Sequence, residues 1–255
     1  MSKYCITPNA TSYSYMISCF SNEGNLFDSL RLYDQMKKRG WIPGIEIYNS
    51  LVYVLTHENC LKEALRTIDK LKEQGLQPGS ATFNSMILPL CEAGKLAGAR
   101  IIFNTMVEEN VSPTTETYHA FFEGTDYQGT LEFLTRMKDS GLGPNKDSFV
   151  IILAKFLKLK QPVNALKFWT EMKTYDVLPS CVHYRIMVEG LVTCRWFVKA
   201  RDFYEEMVSN GCSADPKLNR LFQKEVLDSG DKGKQNVKKA NSNKSMNILK
   251  NDKMK

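Results

Sequence analysis

Between Ser80 and Thr114 the apolar side chains fall into two successive stripes separated by a short polar break. Phe83, Met86, Ile87, Leu90 and Cys91 recur at i, i+3, i+4, i+7 and i+8, the spacing that lays one apolar face along a helix. Glu92, Ala93, Gly94 and Lys95 interrupt that face, and Leu96, Ala99, Phe103 and Met106 begin a second amphipathic helix in a register of its own. Asn110 tolerates the left-handed conformation that closes a helix, and Pro113 lacks the amide that would continue one. The stretch predicts a helix A, a turn, a helix B and a stop.

The same marks return along most of the chain. An aromatic residue opens helix A at Tyr13, Tyr48, Phe83, Tyr118, Phe149 and Tyr184, in steps of 35, 35, 35, 31 and 35. A long apolar residue sits late in helix B at Met36, Leu71, Met106, Met137, Met172 and Met207, with the short step now between Met106 and Met137. Together the two series place a four-residue deletion between Tyr118 and Met137. Gly40, Gly75, Asn110, Gly141, Asp176 and Gly211 supply the left-handed stop, and prolines follow at Pro43, Pro78, Pro113, Pro144 and Pro179. Ser29, Ala64, Ala99, Thr130, Ala165 and Ala200 keep one helix B position small, which lets the paired helix approach closely. A repeat that cannot bury both stripes by itself must stack on its neighbours, so the fold class is all-α, an α-solenoid of helix-turn-helix repeats.

These marks resemble the pentatricopeptide repeat family, of the class built only from 35-residue repeats, and the segment from Thr82 to Met106 illustrates the likeness. The resemblance covers about Ala10 to Asp215 and implies a right-handed superhelix. Six repeats are expected: 10–44, 45–79, 80–114, 115–145, 146–180 and 181–215. Residues 216–230, with Leu218, Leu221, Phe222 and Val226 on one edge, suit a capping helix, and the Lys-rich residues 231–255 suit a disordered tail. Residues 1–9 read as the remnant of an upstream repeat, because Met1 and Pro8 stand 35 residues before Met36 and Pro43. They lack the character of a transit peptide, and because a solenoid opening on part of one hairpin would expose an uncapped apolar face, a truncated or mispredicted start is expected.

Charge modifies the picture. The net charge of +6 comes entirely from residues 231–255, with eight lysines and two aspartates, while the first 230 residues balance at 26 basic and 26 acidic. The basic signal therefore belongs to the tail and not to a groove. No apolar run is long enough to span a bilayer. The seven cysteines contain no C-x₂-C pair and suit reduced thiols, with Cys91 in the core. His57, His119 and His183 match neither a zinc-protease nor a zinc-deaminase pattern, and no Gly-rich phosphate loop occurs, so no metal, cofactor or catalytic site is expected.

Family resemblance implies that each repeat addresses one base of single-stranded RNA, pairing the residue after the opening aromatic with the last residue of the repeat. The pairs are Ser14 with Gly44, Asn49 with Gly79, Asn84 with Thr114, His119 with Asn145, Val150 with Ser180, and Arg185 with Asp215. By that resemblance Asn49 and Asn84 favour pyrimidines, Ser14 points to a purine, and the last three pairs depart from the usual set. Two residues before each aromatic, where relatives place an apolar group against a base, stand Thr11, Glu46, Ala81, Glu116, Asp147 and Val182. Three carboxylates there would repel a polyanion. Of the positions where relatives carry a phosphate-contacting lysine, only Lys158 fits. The expectation is a monomeric, non-enzymatic binder of an organellar transcript, mitochondrial first and plastid second, acting in RNA processing, stability or translation. A protein-interaction scaffold in an organellar ribonucleoprotein assembly is the alternative.

Overall fold

The computed structural model describes residues 8–213, 215–218 and 220. Its helices alternate along the chain: α1 (Ala10–Asn22), α2 (Leu26–Lys38), α3 (Ile45–His57), α4 (Leu61–Glu73), α5 (Ser80–Glu92), α6 (Leu96–Glu108), α7 (Thr115–Gly124), α8 (Tyr127–Asp139), α9 (Lys146–Lys158), α10 (Pro162–Thr174), α11 (Cys181–Thr193) and α12 (Phe197–Ser209). No strand occurs among the described residues. The odd-numbered members are the A helices and the even-numbered ones the B helices. All have 13 residues except α7, which has 10. At about 1.5 Å per residue that is nearly one turn lost, where the sequence places its deletion.

Several helix ends have local causes. Asn9 and Asn25 accept hydrogen bonds from Ser12 N and Asp28 N at 2.8 and 3.1 Å, satisfying amides that the first turn leaves without helical partners. Asp126 does the same for α8, accepting from Gly129 N at 2.8 Å. Pro162 stands at the start of α10, where its missing amide costs little. Two residues past each B helix the backbone turns left-handed, at Gly40, Gly75, Asn110, Gly141, Asp176 and Gly211, with φ between 55° and 81°. Asn110 and Asp176 hold that conformation without being glycine.

The chain divides into two compact units, Met1–Pro144 and Asn145–Lys255. In the first, α1, α3, α5 and α7 stack in series, and each packs on the B helix that follows it. In the second, α9 stacks on α11, while α10 and α12 back their own A helices. Each unit is thus a helical repeat solenoid, with its core between the A layer and the B layer. Phe83, Met86, Ile87, Leu90 and Cys91 are all buried, as are Ala99, Phe103 and Met106. Burial also pushes the Cys91 thiol up to about 12, which keeps it protonated and inert. The small B positions Ser29, Ala64, Ala99, Thr130, Ala165 and Ala200 have no exposed surface. Where that position is a hydroxyl it is satisfied: Ser29 Oγ donates to Asn25 O at 2.8 Å and Thr130 Oγ1 to Asp126 O at 2.8 Å.

One expectation fails. Cys181 and Cys212 form a disulfide, with Cα atoms 5.6 Å apart, where reduced thiols were expected. The hairpin explains it: Cys181 opens α11, Cys212 lies in the turn after α12, and antiparallel packing of the two helices brings those points together. Residues 1–7, most of the expected capping helix and the Lys-rich tail lie outside the described residues. Leu218, on the apolar edge assigned to that helix, is buried.

Candidate nucleic-acid interface

The residue pairs expected to read bases converge because of where a helix begins. Gly44, Gly79, Thr114, Asn145 and Ser180 are the N-cap residues of α3, α5, α7, α9 and α11. The partner of each is the fifth residue of the preceding A helix. Within each unit, stacking of A helices therefore brings Ser14, Asn49 and Asn84 towards Gly44, Gly79 and Thr114, and Val150 towards Ser180, at one end of the layer. The contact is direct in one repeat, where Asn84 Nδ2 donates to Thr114 Oγ1 at 3.2 Å.

A cavity of about 310 Å³ opens on the A helices of the first unit, lined by both Asn49 and Asn84. Ala81 and Glu116, two of the positions that flank a base in relatives, border it. Tyr53 and Leu88 supply its apolar wall. The sequence reading missed these two, although they stand four residues after Asn49 and Asn84 and so share their helical face. Burial, with the Glu92 charge adding to it, raises the Tyr53 hydroxyl above its ordinary value. Ser50 and Ser85 also line the cavity but bond to their own helices, at Glu46 O and Ala81 O, each 2.9 Å away.

Both asparagines are held from behind by the following A helix. Thr82 Oγ1 donates to Asn49 Oδ1 at 2.8 Å, and Thr117 Oγ1 donates to Asn84 Oδ1 at 2.7 Å. The two threonines have no exposed surface, and each is the residue just before an opening aromatic. Each hydroxyl also accepts from the N-cap amide of its own helix, Gly79 N at 3.4 Å and Thr114 N at 2.9 Å. The sequence carried a signal for them, a threonine three residues after the cap.

The other expected residues are placed differently. Ser14, the fifth residue of α1, is half-buried, and Gly44 is exposed. His119 is half-buried with its ring centroid 5.7 Å from that of Phe122. In the second unit Asn145 caps α9, its Oδ1 accepting from Ser148 N at 2.9 Å. Val150 and Ser180 are half-buried, the latter bonded to His183 Nδ1 at 2.7 Å. Arg185 and Lys158 are exposed, and Asp215 accepts from Lys217 N at 2.8 Å. Glu46, Glu116 and Asp147 are all exposed. Among the described residues no group of three or more His, Cys, Asp or Glu is arranged to hold a metal ion, and no helix is long and apolar enough to cross a membrane.

The model of the pentacotripeptide-repeat region of PRORP matches residues 3–178, and a PPR repeat model matches 182–212. The chain belongs to the pentatricopeptide repeat family. Its curated pentatricopeptide relatives include a mitochondrial pentatricopeptide repeat-containing protein of Arabidopsis thaliana, 59% identical over 250 residues, which are 98% of this chain and 44% of that protein. A second mitochondrial pentatricopeptide protein of the same plant is 30% identical over 92 residues, 36% of this chain and 16% of its own length. The chain thus spans less than half the length of these relatives. Among solved structures, the maize pentatricopeptide repeat protein PPR10 shares the fold, with a TM-score of 0.62 and 21% identity over 87% of this chain and 37% of that one. PPR10 in complex with an 18-nucleotide psaJ RNA element superposes with a TM-score of 0.61 at 17% identity, covering 84% of this chain and 36% of that one.

Proposed function

We propose that the chain binds single-stranded RNA along the A helices of its first unit and prefers pyrimidines at α3 and α5. The observation that carries this reading is the opening of Asn49 and Asn84 into one cavity with amide N–H groups available to a base edge. Asn49 Nδ2 has no hydrogen-bond partner among the described residues, and Asn84 has committed one N–H to Thr114. RNA bound to PPR10 and the mitochondrial names of the relatives support a mitochondrial transcript as the ligand. The proposed role lies in organellar RNA processing, stability or translation, by binding and without catalysis by this chain.

Stacking of one base on a protein side chain is worth ~1–3 kcal/mol, so two engaged repeats give a weak but measurable site. Titration of the chain with pyrimidine and purine oligonucleotides tests the proposal. Asn49→Ala with Asn84→Ala should reduce the ratio of the two affinities towards unity. An unchanged ratio would remove base reading by this chain. Glu116 at the rim of the cavity favours a second reading, a protein-interaction scaffold, because a carboxylate there opposes a polyanion and accepts a cationic side chain.

A further inference from the structure

We infer that Thr82 and Thr117 fix which face of the Asn49 and Asn84 amides is offered to a ligand, so that the base preference of one repeat is set partly by the repeat after it. The inference rests on the base-reading proposal but concerns residues that touch no base.

An asparagine side chain is close to symmetric in shape and opposite in chemistry at its two ends: Oδ1 accepts, Nδ2 donates. Unless something orients it, it can offer either end. Here the orienting group is a buried hydroxyl with one proton. Thr82 Oγ1 takes the Gly79 amide proton on a lone pair, and its own proton goes to Asn49 Oδ1 at 2.8 Å. Turning the Asn49 amide over would set an N–H against that hydroxyl and strand the threonine proton in a site with no exposed surface. Thr117 Oγ1 donates to Asn84 Oδ1 at 2.7 Å and accepts from Thr114 N at 2.9 Å, while Thr114 Oγ1 takes one Asn84 N–H at 3.2 Å and lies 3.1 Å from Thr117 Oγ1, so Asn84 is oriented by the two threonine hydroxyls together. The amide oxygens thus face the following helix, and the cavity receives N–H groups. Such a site accepts a base edge carrying an acceptor there, as the N3 and O2 atoms of cytosine or the carbonyls of uracil do, and rejects an edge carrying a donor.

Neighbouring repeats supply the contrast. The residue behind Ser14 is the buried Ile47, which has no hydroxyl to orient anything. In the second unit the residue behind Val150 is His183, which bonds instead to Lys146 O at 2.9 Å. Orientation by threonine therefore accompanies asparagine at α3 and α5, and neither of these other two pairs has it.

The test needs two readouts on the full chain. In the free protein, the side-chain NH₂ resonances of Asn49 and Asn84 report the orientation directly by ¹⁵N NMR. Thr82→Val should shift the Asn49 pair, Thr117→Val should shift the Asn84 pair, and the serine variants should restore both; alanine variants serve if valine does not fold. In binding, each valine variant should lower the preference for an acceptor-bearing pyrimidine over a purine by about threefold to tenfold, the net worth of one hydrogen bond, with serine rescuing it. Unmoved NH₂ resonances would overturn the inference. So would resonances that move while the base ratio stays put, provided Asn49→Ala still changes that ratio; base reading would then survive without the threonines. If Asn49→Ala and Asn84→Ala also leave the ratio unchanged, base reading fails and this inference falls with it.

Discussion

His183 occupies in α11 the place that Thr82 and Thr117 occupy in α5 and α7, and there the imidazole does the hydroxyl's work at the cap. Its Nδ1 accepts from Ser180 N at 3.1 Å, and its Nε2 donates to Lys146 O at 2.9 Å, which requires the neutral tautomer with the proton on Nε2. Burial holds its pKa below the ordinary 6.5, with the Lys146 carbonyl opposing and the Lys146 charge reinforcing that shift. In the unfolded chain the imidazole takes a proton near 6.5, so the folded state loses stability as pH falls below that value and keeps it above. Denaturant unfolding at pH 7.5 and 5.5 should show the loss, and His183→Gln should lower stability at both pH values while flattening the difference between them. An equal difference in the variant would place the pH dependence elsewhere. None of this was legible beforehand: the sequence shows a histidine beside an aromatic, and only the stacked helix start supplies the carbonyl that fixes its proton. The asparagines were legible as candidates because their position follows the aromatic mark, whereas the direction of their amides depends on a neighbour 33 residues away.

At the scale of the helix, close approach is the quantity that the small residues control. Ala99 and Ala165 have no exposed surface, so Ala99→Leu or Ala165→Leu forces a side chain into a filled space and should cost roughly 1–3 kcal/mol each. Gly190 marks a tighter crossing of α9 and α11, where an added Cβ would stand 2.5 Å from Leu157 Cδ1, and Leu157 is itself buried. Gly190→Ala should therefore destabilise the second unit by a similar amount. Denaturation midpoints check all three, and unchanged values would show that the helices do not cross at these residues. The A and B helices were legible because each carries its own apolar stripe and a left-handed stop. The division of the chain at Pro144 was not, since Pro144 belongs to the same series of prolines as Pro43, Pro78, Pro113 and Pro179. Nor was the Cys181–Cys212 bridge, because 31 residues of sequence separation say nothing until the hairpin closes the distance.

At the scale of the whole chain, the question is which part attracts RNA and which part discriminates. The first 230 residues carry no net charge, and residues 231–255 carry all of it, so on the proposed function long-range attraction would come from a different segment than base contact. For a single strand the logarithm of affinity falls with the logarithm of salt by about 0.7 for each phosphate neutralised, and this component carries no sequence information. Deleting residues 231–255 should accordingly weaken binding to every oligonucleotide alike and flatten the salt dependence, by about 0.7 in slope for each lysine that had met a phosphate. The preference for pyrimidines should persist, because the cavity bearing Asn49 and Asn84 remains intact. Affinities measured across a salt series, for the chain with and without those residues, check both expectations. If binding vanishes with the tail while the asparagine variants bind like the parent, RNA contact belongs to the tail alone. The A-helix face with its exposed Glu46 and Glu116 would then be free for a cationic protein partner, and the scaffold reading would take precedence.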